Sequence, residues 1–394
     1  MSNWMIPYKD LDPSQQRIVG ELDEPMKKSN LWLIGYPGSG KSVILTHLAF
    51  KAKKQNKKIV VVNYTKALGN LFDTGFQELN ISGIRVKTPY ELLEYDGQHY
   101  DYIICDEIQD LSLQTFKEIK NKCDYLIAAG DANQSIFDID TINGLPVMAA
   151  NDPSKVIQVS PIVQNIIYRL TKTMVETAII ICPHLSGMRD KINLTTIDTR
   201  ILRRKFESVE LESTWVYEDA SRFSLRSERT AILFTTKKSM IAFANTVLST
   251  KGNYWNPVMT KFGDFDFSDL NSYLSNKNIK MECVLKDFGS LKNAHQNGKI
   301  ILTTYHSAKG LDFENVYLPY LNKDLYLLNN VEKSKVLLMV ALTRSSKNLT
   351  LSFSSKEMSD YIKPITTCID VVMPNTNAAP TTQQNTNDDD EDSY

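Results

Sequence analysis

The chain has 394 residues, a length that corresponds to two or three domains of roughly 150 residues each. With 42% hydrophobic and 23% charged residues, it has the composition of an ordinary globular protein, which argues against a collagen-like, fully disordered or membrane-embedded chain. Its 45 Lys and Arg residues nearly balance its 46 Asp and Glu residues, but five of the acids lie together at 388–392, so the remainder is mildly basic. This small excess of basic over acidic residues is far below that of a dedicated nucleic-acid-binding module.

The N-terminus and the cysteines indicate where the protein resides. No apolar run approaches the roughly 18 residues of a membrane span, and Asp10 and Asp12 follow a start that lacks the basic flank and apolar core of a secretory signal. The five cysteines are odd in number, widely spaced and without Cys/His ligand spacing, so we expect reduced thiols and no zinc site. The sequence therefore predicts a cytoplasmic protein that does not bind membranes.

Short β-branched runs that alternate with helical stretches predict an α/β protein with buried parallel sheets. The expected strands are Leu31–Ile34, Ile59–Val62, Tyr102–Cys105 and Tyr125–Ala129 in the first half, and Ala231–Phe234, Lys299–Thr304, Val316–Pro319 and Leu349–Phe353 in the second. Turn-forming residues and prolines interrupt the pattern between Asn143 and Pro161. We therefore expect a first domain at 1–152, a second at 153–373, and a disordered acidic tail at 374–394.

The strongest motif is "GYPGSGKS" at Gly35–Ser42, which lies between an expected strand and an expected helix. Its glycines allow backbone N–H groups to close around phosphate oxygens at the start of a helix. Lys41 would reach the β- and γ-phosphates of a nucleotide, and Ser42 would be a ligand of Mg²⁺. The alternative, a glycine-rich turn with a chance lysine, is disfavoured by this strand–loop–helix context.

The second motif is "YDYIICDEIQD", in which an apolar strand places Asp106 and Glu107 at its carboxyl end. Open α/β sheets bind their ligands at that edge. Asp106 would hold the Mg²⁺ shell, and Glu107 would orient the attacking water as a base. Two acids after a strand are commonplace, but together with the P-loop they predict a nucleotide-hydrolysis site.

Together with five further segments, these motifs resemble the superfamily 1 helicases, specifically the UvrD/Rep/PcrA-like branch. In chain order the further segments are "LDPSQQRIV", "VVNYTKAL", "AAGDANQSIF", "ILTTYHSAKGLDFENV" and "VALTRSSKNL". The resemblance covers nearly all of residues 11–353. It implies two RecA-like P-loop NTPase domains that form a minimal core without large accessory insertions, and it implies ATP and Mg²⁺ as cofactors.

The resemblance also implies roles for individual residues. Gln134 would sense the γ-phosphate, and Arg344 would be the arginine finger that meets Lys41 and Glu107 across the cleft. Asp312 would lie near the ribose and Gln15 would contact the adenine. The implied nucleotide-binding residues are Gln15, Gly35, Gly38, Ser39, Gly40, Lys41, Ser42 and Asp312, and the implied contacts to single-stranded DNA, or to RNA, are Tyr64, Thr65, Thr304 and His306.

The form of the segment "ILTTYHSAKGLDFENV" favours a direction of movement. "HSAKGLDF" has the lysine–glycine–leucine–acid form of the UvrD-like branch, which implies 3′→5′ translocation. The competing hypothesis is an ATPase subunit that binds nucleic acid and gates a partner, such as a nuclease, without unwinding by itself. A small-molecule kinase would not need the last two motifs.

Two motifs depart from the family pattern. The family usually has a tryptophan and an arginine after the aromatic residue of the segment "AAGDANQSIF". Here that residue, Phe137, is followed by Asp138, Ile139 and Asp140. In "LTKTMVETAII", Val175 occupies the position of an arginine that contacts the γ-phosphate. Arg169 lies nearby at the wrong spacing, so either this register is wrong or one arginine serves the site.

Two segments have open interpretations. A cluster of aromatic residues lies between 254 and 267. We expect it to form packing contacts, and the alternative is that it touches DNA. Its members are Tyr254, Trp255, Phe262, Phe265 and Phe267. The acidic tail would be a solubilising end or, alternatively, a docking segment for a protein partner or a mimic of DNA.

Overall fold

We describe the protein from a computed structural model that covers residues 5–21, 29–193, 198–285 and 288–371. The acidic segment at 374–394 lies outside these ranges. Within them, two α/β units are each built on their own parallel sheet, which confirms the predicted fold class. No helix of these ranges has both the length and the apolar character that crossing a membrane requires.

The first unit is a six-stranded parallel sheet between two layers of helices. Its strands are β1 (Leu31–Gly35), β2 (Ile59–Val62), β3 (Arg85–Lys87), β4 (Tyr100–Cys105), β5 (Cys123–Gly130) and β6 (Ile162–Gln164). Its helices are α1 (Pro13–Gly20), α2 (Lys41–Lys54), α3 (Lys66–Glu78), α4 (Pro89–Tyr95), α5 (Leu113–Asn121) and α6 (Asp152–Ile157). The strand order is β3-β2-β4-β5-β1-β6, so the P-loop after β1 and the acids after β4 lie at the same edge.

Apolar side chains on both faces hold this sheet between its helices. On β2, Val61 belongs to the cluster that contains Ile44 of α2 and Phe72 of α3. Val60 belongs to the opposite cluster, which contains Phe116 of α5. A strand that is buried on both faces has a continuous apolar sequence, as "IVVV" of β2 does, and this is why such strands are recognisable in the sequence.

The second unit is a seven-stranded parallel sheet. Its strands are β7 (Arg200–Lys205), β8 (Thr230–Phe234), β9 (Met281–Cys283), β10 (Ile300–Thr304), β11 (Phe313–Leu318), β12 (Ser345–Phe353) and β13 (Ile369–Val371). Its helices are α7 (Lys172–Ile181), α8 (Val209–Ser224), α9 (Lys237–Ser249), α10 (Phe267–Asn276), α11 (Leu291–Gln296) and α12 (Val331–Leu342). The order is β13-β7-β12-β11-β8-β10-β9, and the paired strands run parallel.

The predicted domain boundary between residues 152 and 153 falls too early. β6 lies beyond that boundary, yet it pairs with β1 of the first sheet, with Leu33 opposite Ile162. α7, by contrast, packs in the cluster that contains Leu338 of α12 and Val316 of β11. We therefore propose that the chain passes from the first unit to the second between β6 and α7.

Candidate functional site

The P-loop follows β1, leads into α2 and lines a cleft of about 270 Å³ between the two units. Gly38 and Gly40 have φ values of +74° and +82°, a conformation that favours glycine. At Gly40 a Cβ would also lie 2.7 Å from Nε2 of Gln15, so the end of that side chain would have to move. The loop geometry therefore requires glycine at these positions.

Three polar side chains of the loop are arranged for an anion and a cation. The Nζ of Lys41 donates to the carbonyl oxygens of Gly35 at 2.8 Å and Tyr36 at 3.3 Å. The Oγ of Ser39 is buried and has no hydrogen-bond partner among the described residues. Ser42 Oγ donates to Oδ2 of Asp106 at 2.7 Å, so two oxygen ligands of the kind that Mg²⁺ prefers lie together.

The two acids after β4 differ in their electrostatic environment. Burial raises the pKa of Asp106 to about 6, and the charge of Glu107 adds to this. Burial would also raise the pKa of Glu107, but the positive charges of Lys309 and Lys41 lower it overall. Glu107 has a φ of +54°, and Gln109 donates its side-chain amide to Oε2 of the same carboxylate. The favoured ionised carboxylate makes Glu107 the stronger candidate for a base.

Two arginines line the cleft with these acids, of which Arg344 is buried and Arg169 is half-buried. Arg344, directly after Thr343, donates Nε to the Val340 carbonyl oxygen at 2.8 Å and Nη1 to that of Leu311 at 3.1 Å. Burial lowers its pKa to about 9, and the nearby Arg169 adds to this, so Arg344 is charged at neutral pH. Arg169 donates Nη2 to the Thr343 carbonyl oxygen at 3.2 Å, whereas its buried Nε has no partner among the described residues. Two adjacent cations, one of them buried, favour an anionic ligand.

The cleft brings together most of the residues expected to bind or hydrolyse a nucleotide. Asp106 is buried beneath Ser42, and Gly35 borders the cleft through its bond to Lys41. Asp312 forms an ion pair with Arg229, with 3.2 Å between Oδ2 and Nη2. The expected residues that line the cleft are Gln15, Gly38, Ser39, Gly40, Lys41, Ser42, Glu107, Gln134, Asp312 and Arg344.

Two domain families match this chain. Residues 15–139 match a family of AAA domains, and residues 267–356 match the C-terminal domain of UvrD-like helicases, together more than half of the chain. The chain belongs to the UvrD-like helicases. Its two parallel sheets are the two RecA-like domains of that family.

The solved structures that resemble this chain include a viral helicase. The solved helicase of PRRSV aligns with 87% of this UvrD-like chain and with 55% of its own chain, at 14% identity and a TM-score of 0.42. The present chain thus spans about half the length of that helicase. No curated protein matches it.

The register expected for the second arginine of this UvrD-like chain is wrong. Val175 of α7 is buried in the hydrophobic core of the second domain, whereas Tyr168 and Arg169 line the cleft. The backbone N–H of Tyr168 donates to the Gly38 carbonyl oxygen at 2.9 Å, which holds this segment against the P-loop. The tyrosine–arginine pair directly before the first helix of the second domain is the signal that could have identified both residues.

The two RecA-like domains are also joined by a buried ion pair that the sequence did not predict. Lys309, in the turn after β10, places Nζ 2.7 and 2.6 Å from the carboxylate oxygens of Asp110. The same Nζ lies 3.8 Å from Oε2 of Glu107. A charge of the second domain therefore reaches the acidic motif of the first, close to the carboxylate that is the candidate base.

The residues expected to contact nucleic acid divide into two groups. The rings of Tyr64 and His306 both contact Phe137, with centroid separations of 5.4 and 5.8 Å, so an aromatic row crosses from one domain to the other. Burial and the charge of Lys309 lower the pKa of His306, which is therefore neutral at pH 7. We name Tyr64, Phe137 and His306 the aromatic row.

The two threonines do not join this row. Thr65 caps the start of α3 by accepting from the N–H of Leu68 at 3.2 Å, and it lines a separate groove between the domains. Thr304 is buried and donates to Ser307 Oγ at 3.0 Å, within the turn that carries His306. Thr304 therefore supports the His306 turn.

The departures after Phe137 have structural roles. Asp140 is fully buried and accepts from the backbone N–H of Ser112 at 2.8 Å and from Thr115 Oγ1 at 2.6 Å, which ties the loop to the start of α5. Ile139, one of the three residues that follow Phe137 where the family has a tryptophan and an arginine, is 53% exposed. Phe137 is the one aromatic residue in the sequence of this loop.

Proposed function

We propose that this UvrD-like chain is an ATP-dependent motor that moves along single-stranded DNA in the 3′→5′ direction and acts as a translocase or helicase. One observation carries the proposal. Lys41 and Glu107 of the first domain and Arg344 of the second line the same cleft. Hydrolysis that requires both domains can be coupled to their opening and closing, and hence to movement along a strand.

The phosphates of ATP would occupy the part of the cleft that offers donors without a partner. Ser39 Oγ and Arg169 Nε are buried and lack hydrogen-bond partners among the described residues, and both would donate to phosphate oxygens. Gln15 and Tyr168 flank Gly40, with Gln15 Nε2 and a ring carbon of Tyr168 at 2.7 and 3.8 Å from a Cβ placed there. An amide and an aromatic ring suit a nucleobase.

Ser42 and Asp106 would hold Mg²⁺, because a hydroxyl and a carboxylate oxygen lie 2.7 Å apart at the base of the P-loop. Mg²⁺, when bound, neutralises charge on the β- and γ-phosphates. Glu107 would accept a proton from the attacking water, and Arg344 would stabilise the charge that develops on the γ-phosphate. Gln134, whose Oε1 accepts from Arg344 at 3.5 Å, would report the state of that phosphate.

Single-stranded nucleic acid would cross the carboxyl edges of both sheets. Phe137 and His306 are half-buried there, whereas Tyr64 is buried, so Phe137 and His306 would be the rings that stack on bases. Aromatic rings bind bases with little sequence preference. The form of the motif that contains His306 and Lys309 favours the 3′→5′ direction over the opposite one, and single-stranded RNA remains the alternative ligand to DNA. The cleft and the aromatic row share this motif, which would couple hydrolysis to the grip on the strand.

The direction is tested by displacing streptavidin from biotinylated oligonucleotides. We expect ATP-dependent displacement from the 5′ end of single-stranded DNA and none from the 3′ end, because a 3′→5′ motor arrives at the 5′ end. RNA oligonucleotides of the same sequence serve as comparators. Displacement from the 3′ end alone would contradict the proposed direction.

The competing candidate is an ATPase subunit that gates a partner such as a nuclease, and the sequence after Phe137, which lacks the family's tryptophan and arginine, favours it. Such a subunit would hydrolyse ATP on single-stranded DNA, yet it would neither displace streptavidin nor unwind a forked duplex. The acidic residues at 388–392 would be its docking segment for a protein partner. Unwinding of the fork by the isolated chain would exclude this candidate.

A further inference from the structure

A short hairpin projects from the second domain between α9 and α10. The backbone N–H of Thr260 donates to the Asp264 carbonyl oxygen at 2.7 Å, and that of Asp266 donates to the Val258 carbonyl oxygen at 2.8 Å. Gly263 closes the turn with a φ of +80°. The hairpin at 258–266 thus has a defined conformation.

The tip of this hairpin exposes an aromatic ring. Phe262 is 84% exposed, and Tyr254 nearby is 58% exposed. The packing expected for this segment holds for its other three aromatic residues, because Trp255 and Phe267 are buried and Phe265 packs against the same core. Packing in the hydrophobic core therefore does not explain the presence of an aromatic side chain at Phe262.

The hairpin is fixed at its base, so the ring is held in place. Trp255 donates its backbone N–H to Asn245 Oδ1 at 2.9 Å, and Asn245 Nδ2 donates to the Trp255 carbonyl oxygen at 3.0 Å. Trp255 Nε1 donates to Oδ2 of Asp269 at 2.7 Å. Lys237 forms an ion pair with Asp264 at the turn. Such anchoring lowers the entropy lost when a ligand stacks on the tip.

The hairpin lies at the same edge of the sheet as the aromatic row. Lys237, its ion-pair partner, begins α9 shortly after β8 ends at the carboxyl edge. β8 pairs with β10 so that Phe234 is opposite Thr304, and His306 follows two residues later. His306 and the ion-pair partner of the hairpin therefore follow the carboxyl ends of two neighbouring strands.

The charges around the tip suit a polyanion. Lys261 places Nζ 5.0 Å from the centre of the Phe262 ring. The nearby carboxylates are engaged, since Asp264 pairs with Lys237 and Asp266 caps α10 by accepting from the backbone N–H of Ser268 at 3.0 Å. An exposed ring with an adjacent cation is the combination that binds single-stranded nucleic acid.

We propose that the tip of this hairpin is a second contact for single-stranded DNA, in which Phe262 stacks on a base and Lys261 neutralises a phosphate. The contact would lie beyond the aromatic row on the second domain. It rests on the proposed function, since it needs a strand that already crosses this edge. A protein partner is the other possible occupant, and unchanged DNA binding without the ring would point to it.

The affinity of the full chain for a fluorescein-labelled single-stranded oligonucleotide tests the stacking contact. Phe262→Ala is expected to raise Kd by about 5- to 150-fold, the range for loss of one stacked base. Phe262→Trp should keep wild-type affinity, and its indole fluorescence should fall on addition of unlabelled DNA. The matched control is Leu225→Ala, because Leu225 is 68% exposed but follows α8 at the opposite edge of the sheet.

The salt dependence of the same affinity tests the phosphate contact. Lys261→Ala should reduce the slope of log Kd against log salt concentration by about 0.7, the value for one phosphate of a single strand. Phe262→Ala should leave that slope unchanged.

Two outcomes separate this inference from the proposed function. A wild-type chain that binds no single-stranded nucleic acid overturns the proposed function, and this inference with it. A wild-type chain that binds, with an equal Kd for Phe262→Ala and no fluorescence change for Phe262→Trp, overturns this inference alone.

Discussion

Replacing Arg344 with alanine is expected to lower kcat for ATP hydrolysis by about 10³- to 10⁵-fold, the effect of an arginine that stabilises a transferring phosphoryl group. Arg344 lines the cleft from the second domain, and its hydrogen bonds go to neutral oxygens of Val340, Leu311, Gln134 and Thr343. Its charge is therefore available to the γ-phosphate. The affinity for ATP, measured by titration with a fluorescent analogue, should change far less than kcat.

The loss of kcat must be distinguished from misfolding, because alanine removes the donor to the Leu311 carbonyl oxygen and one of the two donors to that of Val340, which keeps Thr343 Oγ1. Arg344→Lys keeps a positive charge but cannot reproduce the planar group, and it should give an intermediate kcat. Arg189→Ala is the matched control, since Arg189 is an exposed arginine of the same domain that pairs with Glu176. Wild-type kcat in a folded Arg344→Ala chain would exclude the role in catalysis.

Replacing Glu107 with glutamine is expected to lower kcat by about 10²- to 10⁴-fold, the contribution of a positioned general base. Glutamine has the same shape but cannot accept the proton of the attacking water. The positive charges around Glu107 hold its pKa below the usual range despite burial, so the wild-type side chain is ionised at neutral pH. Single-turnover hydrolysis measures the loss directly.

The dependence on Mg²⁺ distinguishes this role from metal binding. Because Ser42 and Asp106 are the expected ligands, Glu107→Gln should leave the Mg²⁺ concentration for half-maximal activity unchanged. Glu118→Gln, at an exposed position of α5, is the matched control and should hydrolyse ATP normally. If Glu107→Gln instead required much more Mg²⁺ and regained full kcat, Glu107 would be a ligand and not the base.

The sequence predicts the central strands and the P-loop well because each carries its own local signal. The local signal of β1, β2, β4 and β5 is an apolar run. The P-loop follows β1, and the acids Asp106 and Glu107 follow β4. The strands that escaped prediction are short or polar. β3, β6, β9 and β13 have three residues each, and β7 has the sequence "RILRRK". Its arginines are accommodated by distant partners, such as Asp370 for Arg203.

Features that depend on contact between the domains could not be predicted in the same way. Lys309 and Asp110 are separated by 199 positions, and nothing local marks either residue as a partner of the other. The same holds for Phe262, since hydrophobicity does not distinguish it from Phe265 and Phe267. Their packing partners decide that Phe262 is exposed while Phe267 is buried.

We propose that one cleft hydrolyses ATP in response to single-stranded DNA, and the test is the rate of ATP hydrolysis measured with and without that strand. Duplex DNA and single-stranded RNA are the comparators, and Lys41→Ala supplies the blank. We expect strong stimulation by single-stranded DNA that is abolished in Lys41→Ala. Hydrolysis by the wild-type chain at a rate indifferent to every nucleic acid would contradict the claim.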